Sequence, residues 1–359
     1  GSEITEYLMR MKLSEKKPLG KTGLEVPRVI YGTSYLGNLY TALPYDQKLE
    51  LIKKWFECTE KPVVIDSAGK YGAGLALEVI GKGLAELDVK PEEIIISNKL
   101  GWYRIPLKGS EPTFEPGAWV DLENDCIQTF GYEAIIRCLE QGNDLLGGVY
   151  SSEVVSVHDP DEYLHAASTE AERGKRLKEI LESYRALFDL KSEGRVKAVG
   201  IGSKDWRVIQ ELYREVPFDW VMLANSFTVF RHPPEILEFM DILHEKGVGI
   251  VNSAVFHGGF LTGGNKFDYR DVEPGSDEGR LLYGWRERFK HLCSEYGVLP
   301  GDACLHFGLS HPAVVSIALN TSKPEKMNRN VETLRKEIPP SLWNALKQEG
   351  LIDPGYKYL

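Results

Sequence analysis

The sequence lacks the cysteine patterns of disulfide-rich domains and of structural zinc sites. Its 359 residues contain five cysteines, which is an odd number, and no two of them form a CxxC pair. We therefore expect neither a disulfide framework nor a metal site. The composition, with 42% hydrophobic and 27% charged residues, is that of an ordinary globular protein.

Hydrophobic runs of membrane-spanning length are also missing, since no stretch of about eighteen apolar residues occurs. The first residues, Gly1-Ser2-Glu3-Ile4, lack the basic and apolar regions of a secretory signal. These absences predict a cytoplasmic protein that binds no membrane. They also predict that residues 1–16 form an N-terminal tail, in part a remnant of cloning because no initiator methionine is present.

An excess of positive charge is absent as well. The chain has 43 Lys+Arg against 53 Asp+Glu, a formal net charge of −10. Such a chain repels a phosphate backbone, so we expect no nucleic-acid partner. The sequence contains no signal for a particular oligomeric state.

Eight apolar, β-branched runs are present, and each is followed by a helix-length amphipathic segment. The predicted strands are residues 28–32, 62–66, 94–97, 154–158, 196–201, 220–223, 248–251 and 314–318. Nearly continuous apolar strands are typical of parallel strands buried on both faces. The order and length predict an α/β fold, a (β/α)8 TIM barrel formed as one domain by residues 17–359. A hairpin over residues 17–26 is expected to plug its N-terminal end.

A doubly wound sheet is the alternative fold. Its Gly-rich fingerprint is missing, because the first strand is followed by Gly32-Thr33-Ser34-Tyr35-Leu36-Gly37 and not by GxGxxG.

Reactive residues of a TIM barrel lie at the C-terminal ends of its strands. Asp66 closes the second predicted strand, Tyr71 follows it, Lys99 follows the third, and His158 closes the fourth. The set suits proton transfer coupled to hydride transfer. We expect the Lys99 ammonium to lower the pKa of Tyr71 from about 10 toward neutrality, with Asp66 keeping Lys99 charged and His158 orienting a substrate oxygen. A Schiff base formed by Lys99 is the alternative chemistry.

These residues and their contexts resemble the aldo-keto reductase superfamily. The resemblance runs from Pro18 to about Val331, and its motifs are Leu19-Gly20-Lys21-Thr22-Gly23-Leu24, Gly32-Thr33, Ile65-Asp66-Ser67-Ala68-Gly69-Lys70-Tyr71-Gly72, Ser97-Asn98-Lys99 and Val157-His158-Asp159-Pro160. It implies an NAD(P)-dependent oxidoreductase with Tyr71 as general acid/base. The long loop over residues 101–131 and the segment over residues 224–228 look most like the branch of aldose 1-dehydrogenases and pyridoxal dehydrogenases.

The resemblance also implies cofactor contacts: Gly32, Thr33, Ser203, Asn225, Asn252, Ser253, Lys323, Lys326 and Asn330. It favours NAD slightly, with NADP accepted through Lys326. The expected substrate-binding residues are Tyr35, Trp102, His158 and Phe256.

The sequence thus predicts oxidation of an L-fucose-like aldose to its lactone. The alternatives are a general aldehyde and ketone reductase using NADPH, and a non-catalytic nucleotide-binding subunit.

Overall fold

The computed structural model describes residue 3 and residues 12–359 of the chain. Its strands, in chain order, are β1 (Lys16–Pro18), β2 (Glu25–Pro27), β3 (Val29–Gly32), β4 (Val63–Ala68), β5 (Ile94–Leu100), β6 (Trp102–Pro106), β7 (Asn124–Gln128), β8 (Ser152–Val157), β9 (Ala198–Ser203), β10 (Trp220–Ala224), β11 (Gly249–Ser253), β12 (Lys266–Phe267), β13 (Arg270–Asp271) and β14 (Val314–Leu319). Its helices are α1 (Tyr45–Cys58), α2 (Leu75–Glu86), α3 (Tyr132–Leu145), α4 (Pro160–His165), α5 (Glu170–Ser192), α6 (Trp206–Tyr213), α7 (Pro234–Glu245), α8 (Asp277–Glu295), α9 (Pro300–Gly308), α10 (Pro324–Arg335) and α11 (Pro340–Gln348).

Eight parallel strands form a closed barrel and confirm the predicted fold. They are β3, β4, β5, β8, β9, β10, β11 and β14, and β14 pairs with β3 to close the circle. The alternative prediction of an open doubly wound sheet is therefore wrong. The barrel strands are buried on both faces; in β4, for example, Val64 faces the barrel interior and Ile65 packs against the surrounding helices.

The hairpin formed by β1 and β2 covers the N-terminal end of the barrel, as predicted. Its Leu19 and Val26 are buried in one cluster with the first interior layer, which includes Ile30 and Trp220. Because this end is filled, the barrel opens only at the C-terminal ends of its strands, and functional residues must lie there.

Most of the predicted tail over residues 1–16 lies outside the described residues. In its described part, Leu13 is buried and its backbone N–H donates to the Cys58 carbonyl over 2.8 Å. No helix within the described ranges is long and apolar enough to cross a membrane.

The segment over residues 101–131 contains more structure than a loop. β6 and β7 pair antiparallel, from Trp102 opposite Gln128 to Pro106 opposite Asn124. The Gln141 side chain on α3 fixes this pair, accepting from the Arg104 backbone N–H over 2.7 Å and donating to its carbonyl. We call residues 102–128 the insert; its anchoring makes it a fixed wall on one side of the barrel mouth.

Two glycines of β9 test the packing of the barrel interior. A Cβ at Gly200 would lie 2.5 Å from the Trp220 carbonyl oxygen and closer still to its indole ring, whereas a Cβ at Gly202 would make an ordinary 3.7 Å contact with Met222. We expect Gly200→Ala to lower the free energy of unfolding by about 1–3 kcal/mol or more, as overpacking does. Gly202→Ala is the matched control and should change the free energy of unfolding little. Urea unfolding measures this free energy for both variants. Equal losses in the two variants would contradict the tight packing around Gly200.

Candidate active site

An ion pair joins the C-terminal ends of the second and third barrel strands. The Lys99 ammonium contacts the Asp66 carboxylate, and only 11% and 7% of these side chains are exposed. The parallel register places them on one interior face, with Ala68 opposite Lys99. Burial by itself lowers the pKa of Lys99, but Asp66 and the Tyr71 hydroxyl raise it above its ordinary value. Lys99 is therefore a charged ammonium at neutral pH.

That charge weighs against the Schiff-base alternative. A lysine attacks a carbonyl only as the free amine, which needs a lowered pKa. The pKa of Lys99 is shifted in the opposite direction by its partners. Lys99 is thus suited to electrostatic stabilisation and not to nucleophilic attack.

Tyr71 is held by a close approach between two loops of the mouth. Its backbone N–H donates to the Ala68 carbonyl over 3.1 Å. A Cβ at Gly37 would lie 2.6 Å from the Tyr71 carbonyl group, and Gly72 has a φ of 65° and meets Gly37 in turn. Only glycine permits this contact. The phenol ring then lies with its centroid 4.9 Å from the Lys99 ammonium.

His158 follows the fourth barrel strand and completes the predicted set. Its backbone N–H donates to the Leu100 carbonyl over 2.8 Å, and its ring meets the Tyr71 ring edge-on with centroids 6.0 Å apart. Burial, reinforced by Lys99 and other lysines, holds its pKa well below the ordinary value. His158 is therefore a neutral imidazole that donates a hydrogen bond without carrying charge.

The pKa of Tyr71 differs from the expected direction. Burial raises it above its ordinary value, and the lowering by Lys99 does not outweigh burial, because the Asp66 carboxylate acts against Lys99. The expectation of a phenol lowered toward neutrality by one lysine is therefore wrong for the free protein. Desolvation of the charged form was the missing contribution.

The insert supplies a wall that combines aromatic and charged groups. Trp119 stacks on Tyr71 with ring centroids 5.7 Å apart, and its indole N–H donates to Glu115 over 3.1 Å. The same Glu115 forms a 2.8 Å ion pair with Lys70, whose ammonium lies 5.0 Å from the centre of the Trp102 ring. An apolar plane and a fixed pair of opposite charges thus lie beside the catalytic candidates.

Several predicted cofactor and substrate residues do lie at the rim of the mouth. Thr33 donates its hydroxyl hydrogen to the Asp66 carbonyl over 2.9 Å and so ties the ends of β3 and β4 together. Ser253 ends β11 and is partly exposed. The remaining members of this group are Gly32 at the end of β3, Tyr35 in the turn after it, and Asn225 directly after β10.

Two of the predicted cofactor contacts, Ser203 and Asn252, are buried. Asn252 is a correction, because its amide donates to the carbonyls of Phe227 and Gly308 over 2.9 and 3.0 Å and so faces the helices and not the mouth. The Ser203 hydroxyl donates to the Asp205 carbonyl over 2.8 Å and stabilises the loop before α6. The Thr33 and Ser253 hydroxyls bond to scaffold carbonyls in the same way, and the cofactor contact of Ser203 stays a prediction like theirs.

Phe256 follows β11, and the predicted phosphate contacts follow β14. Phe256 packs partly buried against the core, beside Gly301 on α9. Lys323 and Lys326 lie at the start of α10, which has no side-chain cap, and Asn330 lies in the middle of the helix. A helix N-terminus with exposed lysines beside it fits the phosphates of a dinucleotide.

Two further residues of the mouth were not predicted. Lys70 is 7% exposed although a lysine in a loop is ordinarily solvated. Asp159 has its carboxylate 3.4 Å from His158 Nε2, and burial and Glu162 raise its pKa to about 6. Their only sequence signal was adjacency to Tyr71 and to His158.

The fold, the ion pair and the mouth define a class of barrel oxidoreductase, and comparison with known proteins agrees. Residues 28–349 match the model of the Aldo/keto reductase family. The chain belongs to this family, whose members are oxidoreductases that use nicotinamide cofactors.

Individual relatives are more distant. The chain is 29% identical to pyridoxal 4-dehydrogenase of Microbacterium luteolum, over 96% of this chain and 100% of that protein. It is 28% identical to D-threo-aldose 1-dehydrogenase of a Pseudomonas species, over 92% and 96%, and 22% identical to L-galactose dehydrogenase of Arabidopsis thaliana, over 88% and 87%. An aldo-keto reductase of Bacillus halodurans in its holo form has the same fold, with a TM-score of 0.67, 19% identity and coverage of 96% and 98%.

We expect Tyr71→Phe to abolish nearly all turnover while leaving cofactor affinity little changed. Only the phenol oxygen can exchange a proton, and the remaining ring still stacks on Trp119. Steady-state rates and calorimetric titration with the cofactor measure the two effects. A variant that keeps more than about a tenth of the wild-type rate would exclude Tyr71 as the acid/base, since such groups contribute roughly 10²–10⁴ in rate.

The pKa directions predict an asymmetric dependence on pH. Because the pKa of Tyr71 is raised, the phenol is protonated at neutral pH, which suits reduction, and oxidation requires its deprotonation. We expect kcat/KM for oxidation to keep rising to about pH 10 or beyond, where ordinary tyrosines ionise. His158 stays neutral and should add no inflection near its ordinary pKa. An oxidation profile that levels off near pH 8 would contradict the raised pKa of Tyr71.

Proposed function

We propose that this protein is an NAD(P)-dependent dehydrogenase that oxidises an L-fucose-like aldose at C1 to the lactone. The observation that carries the proposal is the insert wall, where the partly exposed Trp102 ring lies 5.0 Å from the Lys70 ammonium and Lys70 is paired with Glu115. A sugar ring has an apolar face that packs on an aromatic plane and hydroxyls that bind charged groups. The similarity to two sugar dehydrogenases supports the same substrate class.

The catalytic candidates divide the proton chemistry among them. In oxidation, the anomeric hydroxyl gives its proton to the Tyr71 oxygen as the C1–H bond breaks and the C1–O bond becomes a carbonyl. The Lys99 ammonium stabilises the phenolate form of Tyr71, and Asp66 keeps Lys99 charged. His158 donates a hydrogen bond to the reacting oxygen and fixes its direction. A bound nicotinamide supplies the acceptor of the hydride.

The cofactor would be held at the rim and by α10. We propose that the α10 N-terminus, with Lys323 and Lys326, binds the phosphates, and that Asn330 lies beside them. The rim residues Gly32, Thr33, Asn225 and Ser253 would line the way from these phosphates to Tyr71. NAD is favoured slightly because Asn320 stands where a lysine is often found in the family. NADP remains acceptable because Lys326 can pair with a 2′-phosphate.

Trp102 and Tyr35 are proposed as further walls for the substrate. Both are partly exposed; Tyr35 follows β3, and Trp102 begins β6 directly after β5, two strands further round the barrel. His158 is the third proposed substrate contact. Phe256 follows β11 and is also partly exposed, and its substrate contact remains part of the proposal.

Pyridoxal is a second candidate substrate. It is favoured by the similarity to a pyridoxal 4-dehydrogenase that this chain covers completely. Pyridoxal closes to a cyclic hemiacetal, so proton transfer to Tyr71 and loss of hydride would again give a lactone. Its aromatic ring suits the partly exposed Trp102 ring as well as a sugar does.

A substrate panel tests the proposal. We expect oxidation of L-fucose or a related aldose at alkaline pH, with NAD or NADP, to be faster than oxidation of simple alcohols. Pyridoxal and aromatic aldehydes belong in the same panel, and Tyr71→Phe is the background control. If no aldose is oxidised while aldehydes are reduced well at neutral pH with NADPH, the protein is a general carbonyl reductase. Cofactor binding without any turnover would indicate a non-catalytic nucleotide-binding subunit.

A further inference from the structure

Asp159 holds a carboxylate at the mouth that the scaffold does not use. It precedes α4, where an aspartate ordinarily caps the helix, yet its side chain makes no capping hydrogen bond. Its backbone lies in the left-handed region, with a φ of 46° and a ψ of 55°. Non-glycine residues in such conformations cluster at functional sites.

The Asp159 carboxylate lies beside His158, the residue proposed to orient the reacting oxygen. Asp159 Oδ2 lies 3.4 Å from His158 Nε2, and 27% of the side chain is exposed. His158 Nδ1 is buried and has no hydrogen-bond partner within the described residues, so the imidazole N–H belongs on Nε2, beside Asp159. The Asp159 carboxylate makes no ion pair with a lysine or arginine within the described residues, although Lys70, Lys99 and Lys204 all act on it electrostatically.

From this geometry we infer that Asp159 binds substrate by accepting a hydrogen bond from the hydroxyl on the carbon next to the reacting carbon. An oxygen held by His158 Nε2 and a hydroxyl held by Asp159 Oδ2 are then neighbours at about hydrogen-bonding distance, as vicinal oxygens are. The lysines around the mouth disfavour a cationic substrate group, whereas a neutral hydroxyl can donate to a carboxylate without charge conflict. The inference rests on the proposed function and narrows its substrate class to 2-hydroxy aldehydes and their cyclic hemiacetals.

Asp159 would then determine specificity. A site that pairs a polar group with a substrate hydroxyl discriminates against the analogue that lacks it, because the polar group is left unpaired. Asp159 is partly exposed, so water compensates some of this loss. We therefore expect discrimination of about 10- to 100-fold in kcat/KM, below that of a fully buried site.

The experiment compares substrates with and without the neighbouring hydroxyl in wild type and in two Asp159 variants. Each enzyme is assayed for oxidation of an aldose and its 2-deoxy analogue, and for reduction of glyceraldehyde and propanal. Asp159→Ala should lower kcat/KM for the hydroxylated member of each pair about 10- to 100-fold, mainly through KM, and change the other member less than about threefold. Asp159→Asn, which keeps one amide oxygen as acceptor, should fall between wild type and Asp159→Ala.

Glu162→Gln is the matched control. Glu162 is a neighbouring exposed carboxylate that contacts Lys204 over 3.4 Å, and its loss should leave both ratios unchanged. The inference is overturned if wild type does not discriminate within the pairs, or if Asp159→Ala lowers both members equally, since that would indicate damage to His158 or the fold. If no aldose is oxidised but the glyceraldehyde-to-propanal ratio collapses in Asp159→Ala, the aldose proposal fails and the role of Asp159 stands.

Discussion

The ion pair between Lys99 and Asp66 determines what every other side chain at the barrel mouth can do. An ammonium this deeply buried would lose its proton without a carboxylate, and a carboxylate alone would be equally unfavourable. Neighbouring strands supply the two partners in register, so the barrel itself provides the alignment. With Lys99 fixed as a cation, Tyr71 has a partner for its phenolate, and burial together with Lys99 keeps His158 neutral. Burial also raises the pKa of Tyr71, so Lys99 alone of these three groups is charged at neutral pH.

The strands and helices of the barrel could be predicted because each one has its own pattern of apolar and polar residues in the sequence. The strand over Val63–Ala68 and the helix over Tyr45–Cys58 follow directly from apolar runs and amphipathic spacing. The catalytic candidates could also be predicted from the sequence, because the C-terminal ends of the barrel strands converge on one rim. The contact between Gly37 and Gly72 was not predicted, because it joins two separate loops.

The errors concern properties that arise only from packing. A strand buried on both faces has no alternation of polarity, so nothing in the sequence tells that Asn252 faces the helices. The partner of Lys70 lies 45 residues away in the insert, and the raised pKa of Tyr71 depends on how deeply distant segments bury it. Asp159 was named only within a motif and given no role, because an uncapped helix start cannot be recognised from residue types alone.

The insert has an evolutionary consequence. It enters and leaves the barrel through one antiparallel pair, and its far end is attached separately, where the Asn38 amide donates to the Val120 carbonyl over 2.9 Å. Its middle can therefore vary in sequence without altering the register of any barrel strand. Selection can exchange the wall around Trp119 and Glu115 while the proton-transfer groups on the strands stay in place. A lineage with this arrangement can acquire new substrates through substitutions in one connection. Such substitutions change the stability of the barrel little.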